Sequence, residues 1–410
     1  MQARRFTKYS SLKLTTVPQN AATRLYSVAP LYIGSSGIES LTSYISRLAQ
    51  AHCVYPGILM ERVLKHVVNK KHSSANLHNL YSFTGAINGT GTMGRDLVAA
   101  LEQLTSQKQL DLLTLASFSE LIPSRKLFHE HRKWCPQCFD SWKKQQHELY
   151  EPLIWKIKAV DICSIHNSPL QDKCPYCDRP NYHLAWKTRP GYCSKCDRSL
   201  GEVDRYKQLS IKDKDLNWYL WVNENIGELL SMRDVEDFYL SKKTIGESLT
   251  KYVENKFQGN MAAFARFLQM PKNTVWMWCK NKSQPSLEML LRICHRLEIS
   301  VWQFLTQEKL TQSKTTNTLA SLPQIKSKAR KTVLDRDRIQ KYLEWVLKEN
   351  NSAPPSMEQV ARDIQINRRT IFHHFPELCR AISANYTKHR TAIHQQAIKE
   401  CFQEVREVVR

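Results

Sequence analysis

The sequence lacks any run of about eighteen apolar residues, which is the length that a membrane-spanning helix requires. It also lacks a secretory signal peptide with a long apolar core, so disulfide bonds of an extracellular protein are not expected. Acidic residues are scarce, because 38 Asp and Glu stand against 60 Lys and Arg, for a formal net charge of +22. This imbalance favours a polyanionic partner, and we expect double-stranded DNA rather than a membrane surface.

Acidic side chains are absent from residues 1–38, where the charged residues are Arg4, Arg5, Lys8, Lys13 and Arg24. A mitochondrial transit peptide has this composition, and so does a disordered basic tail. We predict a basic tail over residues 1–29, and its degree of order stays open.

The length of 410 residues exceeds what one hydrophobic core supports, so we expect roughly two to four domains. The hydrophobic content of 42% and the aromatic content of 10% are typical of a globular protein. Apolar periodicity predicts a mainly α fold. The predicted divisions are a basic tail (1–29), a helical domain (30–132), a double metal-binding region (133–202), a helical region (203–305), a linker (306–333) and a second helical domain (334–410).

Four pairs of cysteine or histidine residues, each pair separated by two residues, lie between positions 135 and 196. Such a pair places two ligands on one tight turn, where both reach the same tetrahedral ion. The pairs are Cys135 and Cys138, Cys163 and His166, Cys174 and Cys177, and Cys193 and Cys196. Eight ligands predict two zinc ions per chain, and the fifteen residues between the last two pairs match a four-cysteine zinc ribbon.

Disulfides and incidental buried thiols are the alternatives to zinc, and neither suits the expected reducing cytoplasm. Both predicted sites have four protein ligands and no open position, so we expect structural rather than catalytic zinc.

The predicted N-terminal domain contains helical patterns at Leu41–Leu48, Ile58–Val68, Leu97–Leu104 and Leu110–Leu121, with Glu39 and Ser40 placed to cap the first. A G-x-G-x-x-G sequence at Gly89–Gly94 has neither the flanking strand of a dinucleotide site nor the closing Lys of a P-loop. We therefore expect a flexible loop that caps a helix from Arg95. Further along, Trp155–Ala159 alternates in polarity as a strand does.

Several of these features together resemble the TniQ/TnsD family of transposon target-selection proteins. They are Pro30-Leu31-Tyr32, Glu39–Tyr44 with Arg47-Leu48-Ala49, and the ordered ligand set around Trp155, so the resemblance spans roughly residues 30–230. It implies a non-enzymatic adaptor that marks target DNA and recruits an AAA+ ATPase, which brings in the transposase. It also implies a bacterial, nucleoid-associated protein whose Tyr44 and Arg47 contact the ATPase; the alternative for Arg47 is that it braces its own domain.

Two C-terminal segments have the pattern of helix-turn-helix modules. In the first, Met261–Leu268 and Lys272–Lys280 flank a break at Pro271, and the predicted recognition helix exposes side chains suited to phosphates and base edges. These candidate DNA contacts are Lys272, Asn273, Thr274, Trp276, Met277 and Lys280. The alternative is a helical packing module with a solvated basic face.

The second module combines a helix at about Asp335–Asn350, a helix at Met357–Ile364 and a third at Arg368–Phe375, with Asn367 as the N-cap and Pro376 as the stop. Its candidate DNA contacts are Arg368, Arg369, Thr370, His373 and His374. The preceding linker carries Lys326, Lys328, Arg330 and Lys331, which suit a phosphate backbone or a solvated tether equally.

Three classes of function compete: a target-selecting adaptor, a zinc-containing transcription regulator and a zinc-dependent enzyme. The enzyme is disfavoured because the sequence shows no acid pair, no Cys-His nucleophile and no open metal site. Within the adaptor class, direct reading of an attachment site competes with docking onto an RNA-guided CRISPR effector complex. The paired helix-turn-helix patterns favour direct reading.

Overall fold

The computed structural model describes residues 23–64, 81–206, 213–232, 241, 243–306, 335–349 and 353–408. These residues are mainly helical, and within them the only β pairing consists of isolated bridges, such as the one between Trp134 and Gln171. The mainly α prediction is therefore confirmed. The chain divides into two compact units, residues 1–324 and 325–410.

Ten α-helices lie in the described part of the first unit. They are α1 (Leu41–Ala51), α2 (Pro56–Leu59, continued by a π-helical turn over Met60–Leu64), α3 (Thr92–Thr105), α4 (Pro136–Lys144), α5 (Asp213–Ser231), α6 (Thr244–Phe257), α7 (Met261–Phe267), α8 (Lys272–Cys279), α9 (Leu287–Arg296) and α10 (Val301–Thr306). Short 3₁₀ helices occur at Tyr81–Asn88, Leu110–Leu113, Ala116–Phe118, Leu153–Lys156 and Val203–Arg205.

The second unit contains four described helices. They are α11 (Arg336–Lys348), α12 (Met357–Asp363), α13 (Arg368–His374) and α14 (Pro376–Val408). Pro376 lies at the first position of α14, where a backbone N–H has no hydrogen-bond partner within the helix, so proline, which lacks this N–H, is well suited there. Pro376 therefore ends α13 and also begins a helix of 33 residues. The core of this unit is formed by side chains such as Ile339, Leu343 and Ile371.

Helix α1 forms as the sequence predicts. The hydroxyl of Ser40 accepts a hydrogen bond from the N–H of Ser43 at 3.3 Å, which satisfies a free donor at the helix start. Leu41, Ile45 and Leu48 are fully buried. Helix α1 is thus an interior element of the first unit.

Four local predictions need correction. Leu110–Leu121 forms two short 3₁₀ helices rather than one helix. The glycine-rich segment caps α3 through Gly91, and α3 begins at Thr92, not Arg95. Gly94 lies inside this helix, where an added Cβ would approach the carbonyl oxygen of Ile87 to 2.6 Å, so close packing explains the glycine.

The alternation at Trp155–Ala159 predicts a strand, but the chain forms a 3₁₀ turn over Leu153–Lys156. The alternation is misleading because Lys156 is fully buried, where its ammonium group pairs with the carboxylate of Glu151. The expected helix at Ile58–Val68 is interrupted by the π turn, and residues after Leu64 lie outside the described part.

One hydrophobic core runs through the described residues from Leu25 to Leu305. Helix α5 joins its parts through two amide side chains. Asn223 Nδ2 donates to the carbonyl of Ile162 at 3.2 Å, and Asn225 Oδ1 accepts from the N–H of Val301 at 2.8 Å. The compact unit therefore runs across the predicted domain boundaries at 132, 202 and 305, and those boundaries stay predictions.

Candidate metal centres and basic helix faces

The first ligand set brings together residues from the start of α4 and from a loop about 25 residues later in the sequence. Cys138 Sγ lies 3.5 Å from Cys163 Sγ and 3.3 Å from His166 Nδ1, and Cys135 Sγ lies 3.5 Å from the same Nδ1. A tetrahedral ion bonded to sulfur at about 2.3 Å separates its ligands by about 3.8 Å. The four atoms therefore suit a metal ion, as the sequence predicts.

The second ligand set has the same geometry. Cys174 Sγ lies 3.6 Å from Cys196 Sγ, and Cys177 Sγ lies 3.8 Å from Cys193 Sγ. The ligand atoms of each set lie within 4.8 Å of one another. Both sets thus have four convergent protein ligands that could hold a metal ion.

Three of the four ligand pairs share a turn that the sequence analysis did not identify. After each pair, Asn167, Asp178 and Asp197 adopt a left-handed backbone with φ of 50°, 50° and 57°. Their N–H groups donate to the carbonyls of Cys163, Cys174 and Cys193 at 2.9–3.0 Å. Asn and Asp tolerate this conformation better than most residues, so an Asn or Asp directly after the second ligand is the signal that was available.

The electrostatics of the second set favour a bound cation. Burial raises the pKa of the Cys174 thiol, so a metal is needed to hold its thiolate form. At Cys193 burial also raises the pKa, but hydrogen bonds from the backbone N–H groups of Cys196 and Lys195 outweigh it and lower the pKa to about 7. The Cys193 thiol therefore loses its proton more readily than an ordinary cysteine does, which favours the thiolate form that a metal ion binds.

A buried ion cluster connects α1 with the second metal set, and no local sequence pattern predicts this cluster. Glu151 pairs with Lys156 and lies 3.1 Å from Arg132 Nη1, and all three side chains are at most 1% exposed. Arg132 Nη2 donates to the carbonyl of Tyr192, beside a metal ligand, at 2.6 Å. The Glu151 carbonyl accepts from the N–H of Ser40 at 3.0 Å. This network fixes α1 relative to the second metal set.

The predicted partner-binding residues, Tyr44 and Arg47, lie inside the first unit. Tyr44 is fully buried, and its hydroxyl donates to the carbonyl of Val28 at 3.0 Å. Arg47 is 4% exposed and contacts Glu39 at 2.6 Å and Glu148 at 2.7 Å. A direct contact of these side chains with a partner does not fit their burial, whereas the alternative role of Arg47 as a brace does.

The candidate DNA-binding side chains of α8 lie largely at the surface. Lys272, Asn273, Trp276 and Lys280 are exposed, while Thr274 and Met277 are partly exposed. The ammonium of Lys282 lies 4.6 Å from the centre of the Trp276 ring. Val275 and Trp278 are buried on the opposite face, so α8 is anchored by its apolar side.

Helix α13 has a similar division. Arg368, Arg369 and His373 are exposed, and Thr370 and His374 are partly exposed. Asn367 caps the helix as predicted, since its side chain accepts from the N–H of Arg369 at 2.9 Å. The predicted linker contacts Lys326, Lys328, Arg330 and Lys331 lie outside the described residues.

The pairs α7–α8 and α12–α13 correspond residue by residue at an offset of 96 positions. The N-caps Asn260 and Ser356 correspond, as do the turn residues Gln269 and Gln365, which both have a left-handed backbone. The first helix of each pair has seven residues, and a turn of four residues follows it. The two pairs thus share one local architecture, with Lys272 of α8 matching Arg368 of α13.

No helix among the described residues combines the length and the apolarity needed to cross a membrane.

A family model described as TniQ matches residues 30–170. The matched segment begins ahead of α1 and includes the whole first metal set. No curated protein matches the chain. Residues 30–170 therefore match a TniQ domain, and the predicted resemblance to the TniQ family of transposon-associated proteins is confirmed over this segment, which is shorter than the predicted 30–230.

Proposed function

We propose that this protein is a non-catalytic adaptor that selects target sites for DNA transposition. In this function it binds duplex target DNA and recruits an AAA+ ATPase, which brings in the transposase. The TniQ domain at residues 30–170 is the observation that carries the proposal, because it associates the chain with transposition. The net charge of +22 supports a DNA partner.

The two corresponding helix pairs, α7–α8 and α12–α13, are interpreted as helix-turn-helix modules. In such modules the N-terminal residues of the second helix reach base edges in the major groove. Lys272 and Asn273 occupy this position in α8, and Arg368 and Arg369 occupy it in α13. Each pair buries an apolar face and leaves its charged face accessible, as a groove-binding helix requires.

Zinc is the metal proposed for both ligand sets. Three cysteines with a histidine and four cysteines are common structural zinc ligand sets, and four protein ligands leave no position for a reactive water. The metals hold the chain between α4 and α5, and so support the surfaces on either side.

Recruitment of the ATPase is assigned to the surface of the TniQ domain rather than to Tyr44 and Arg47 themselves. Arg47 neutralises the buried carboxylate of Glu39 and reaches Glu148, which is 53% exposed. It therefore acts as a positioning residue that fixes α1 against the segment near residue 150.

Two measurements on the full chain test the function. Pull-down with the ATPase encoded beside its gene is expected to recover a complex, and failure to do so would favour a transcription regulator. Footprinting on the DNA next to natural insertions is expected to show a protected site that Lys272→Ala and Arg368→Ala weaken. A footprint that both variants leave unchanged would make these helices protein-docking surfaces and favour an RNA-guided effector complex as the DNA-locating partner.

A further inference from the structure

The surface around the second metal set contains cations held over tyrosine rings. Lys195 Nζ lies 5.5 Å from the centre of the Tyr182 ring, and the guanidinium groups of Arg198 and Arg205 lie 5.3 and 5.5 Å from that of Tyr176. We call these five residues the second-cluster rim. Lys195 stands between two ligands, Cys193 and Cys196, so the position of part of the rim depends on the metal turn.

The three rim cations are exposed and have no ion-pair partner among the described residues. Two neighbouring cations differ in this respect, since Lys173 lies 3.8 Å from Asp178 and Arg189 lies 3.1 Å from Asp197. A cation over an aromatic ring keeps its charge while part of its side-chain freedom is already lost. The rim cations therefore lose less side-chain conformational entropy on binding an anion than unconstrained surface cations do.

The composition of this surface indicates the class of anion. Between residues 171 and 206, all of which are described, no large apolar side chain is exposed. The buried centre of a protein–protein interface is apolar and depleted in charge, so this surface is poorly suited to an acidic protein. Cations with interleaved aromatic rings are instead suited to a nucleic-acid backbone.

We propose that the second-cluster rim binds the phosphate backbone of duplex DNA, as a contact separate from α8 and α13. The inference rests on the proposed function only in taking duplex DNA as the partner. Phosphate contacts fix the orientation of a protein on the duplex and carry no direct sequence information. The rim therefore contributes affinity that is equal for all sequences.

The test is fluorescence anisotropy of the full chain on unrelated duplexes of about 30 base pairs over a range of salt concentrations. For the double variant Lys195→Ala and Arg198→Ala we expect the slope of log affinity against log salt to fall by about one unit per lost contact. At about 150 mM salt this corresponds to about a fivefold loss of affinity per contact. Lys173→Ala is the matched control, because it removes a paired cation from the same region, and it is expected to change neither quantity.

Metal content measured on each variant shows whether the ligand turn is intact. If the double variant loses a metal equivalent, the salt slope is measured on Arg205→Ala instead, because Arg205 lies outside the ligand turns. Arg198→Lys is expected to retain the salt slope. An unchanged slope in a variant with full metal content overturns the proposal.

Failure of the rim and failure of the proposed function give different results. If the rim variants lose affinity uniformly while Lys272→Ala and Arg368→Ala leave sequence preference unchanged, the rim proposal stands and direct reading by the helices is wrong. If the helix variants lose preference and the rim variants bind like wild type, the rim proposal is wrong and the proposed function stands.

Discussion

Arg47 Nη1 lies 2.6 Å from Glu39 Oε2, and both side chains are at most 4% exposed. Burial raises the pKa of Glu39 to about 7, with Arg47 opposing the rise. The cation thus compensates a carboxylate that water cannot reach. This pair gives α1 a charged anchor in the buried interior of the first unit, where the Ser43 hydroxyl also donates to Glu39 at 2.7 Å.

Arg47→Ala is expected to lower the free energy of unfolding by about 3–5 kcal/mol, because it leaves Glu39 buried without its partner. Lys144→Ala is the matched control: it removes the ion pair between the exposed Lys144 and Asp140, whose atoms lie 2.7 Å apart, and its effect on stability should be small. Denaturant unfolding measures both. If Arg47→Ala instead keeps wild-type stability and loses only ATPase recruitment, Arg47 is a direct contact after all.

Gly94→Ala is expected to destabilise the protein by about 1–3 kcal/mol, because the new methyl group would meet the Ile87 carbonyl inside a packed helix. Gly91→Ala is the control from the same motif: nothing lies within 4 Å of its added Cβ, and its φ of −87° suits any residue. Thermal unfolding distinguishes the two variants. Equal and small effects would show that packing does not explain the glycine at position 94.

His183 is expected to make stability depend on pH. Burial lowers its pKa from 6.5 to about 3 in the folded protein, with Lys156 acting in the same direction. The contribution of neutral His183 to the free energy of unfolding is fully present above about pH 6.5. It is lost as the pH falls towards 3, since within this range only the unfolded chain takes up the proton. Each histidine of this kind changes the free energy of unfolding by about 1.4 kcal/mol per pH unit within that window.

The control for His183 is the difference between wild type and His183→Gln, measured by denaturant unfolding from pH 7 to pH 5. Metal release at low pH affects both proteins and cancels in the difference. The cost of the substitution is expected to shrink as the pH falls. A constant cost would mean that His183 takes up its proton normally in the folded state.

Cys174→Ser is expected to remove one of two metal equivalents per chain and to unfold the surrounding turns. Structural zinc contributes on the order of 10 kcal/mol to the folding of small modules, while the second compact unit should stay folded. Elemental analysis and circular dichroism test this. Cys53→Ser, which changes an exposed cysteine outside both sets, should retain both ions. A folded, metal-free wild-type protein would contradict the zinc assignment.

Single alanine substitutions at Lys272, Asn273, Arg368 or Arg369 are expected to cost roughly 1–3 kcal/mol against the preferred DNA site and to relax specificity. Neutralising Lys326, Lys328, Arg330 and Lys331 should instead weaken binding to all sequences alike and lower the salt slope by about one unit per contact. Lys108→Ala, an exposed cation outside both helix pairs, is the control. Titrations on specific and unrelated duplexes separate these effects.

The metal ligands were predictable because each pair encodes its own turn, and spacing within a few residues is visible in the sequence. The helix starts at Ser40 and Asn367 were predictable for the same reason, since a cap acts within one helical turn. The interior ion cluster was not, because Glu151 meets Arg132 and Lys156 only after the chain has folded. The prediction that Tyr44 and Arg47 contact a partner rests on family resemblance, and a polar side chain in a helix does not reveal that its partner is also buried.

The correspondence between the two helix pairs extends to only some of the side chains that face outward, such as Lys272 with Arg368 and Thr274 with Thr370. Asn273 matches Arg369, and Met277 matches His373, so the second helices of the pairs are unequal in chemistry while alike in backbone. A symmetric dimer recognises a palindrome and has no preferred direction along it. A single chain with two unequal recognition helices, in the function proposed here, distinguishes left from right on the duplex. The orientation of an inserted element would then be determined by this protein before the transposase arrives.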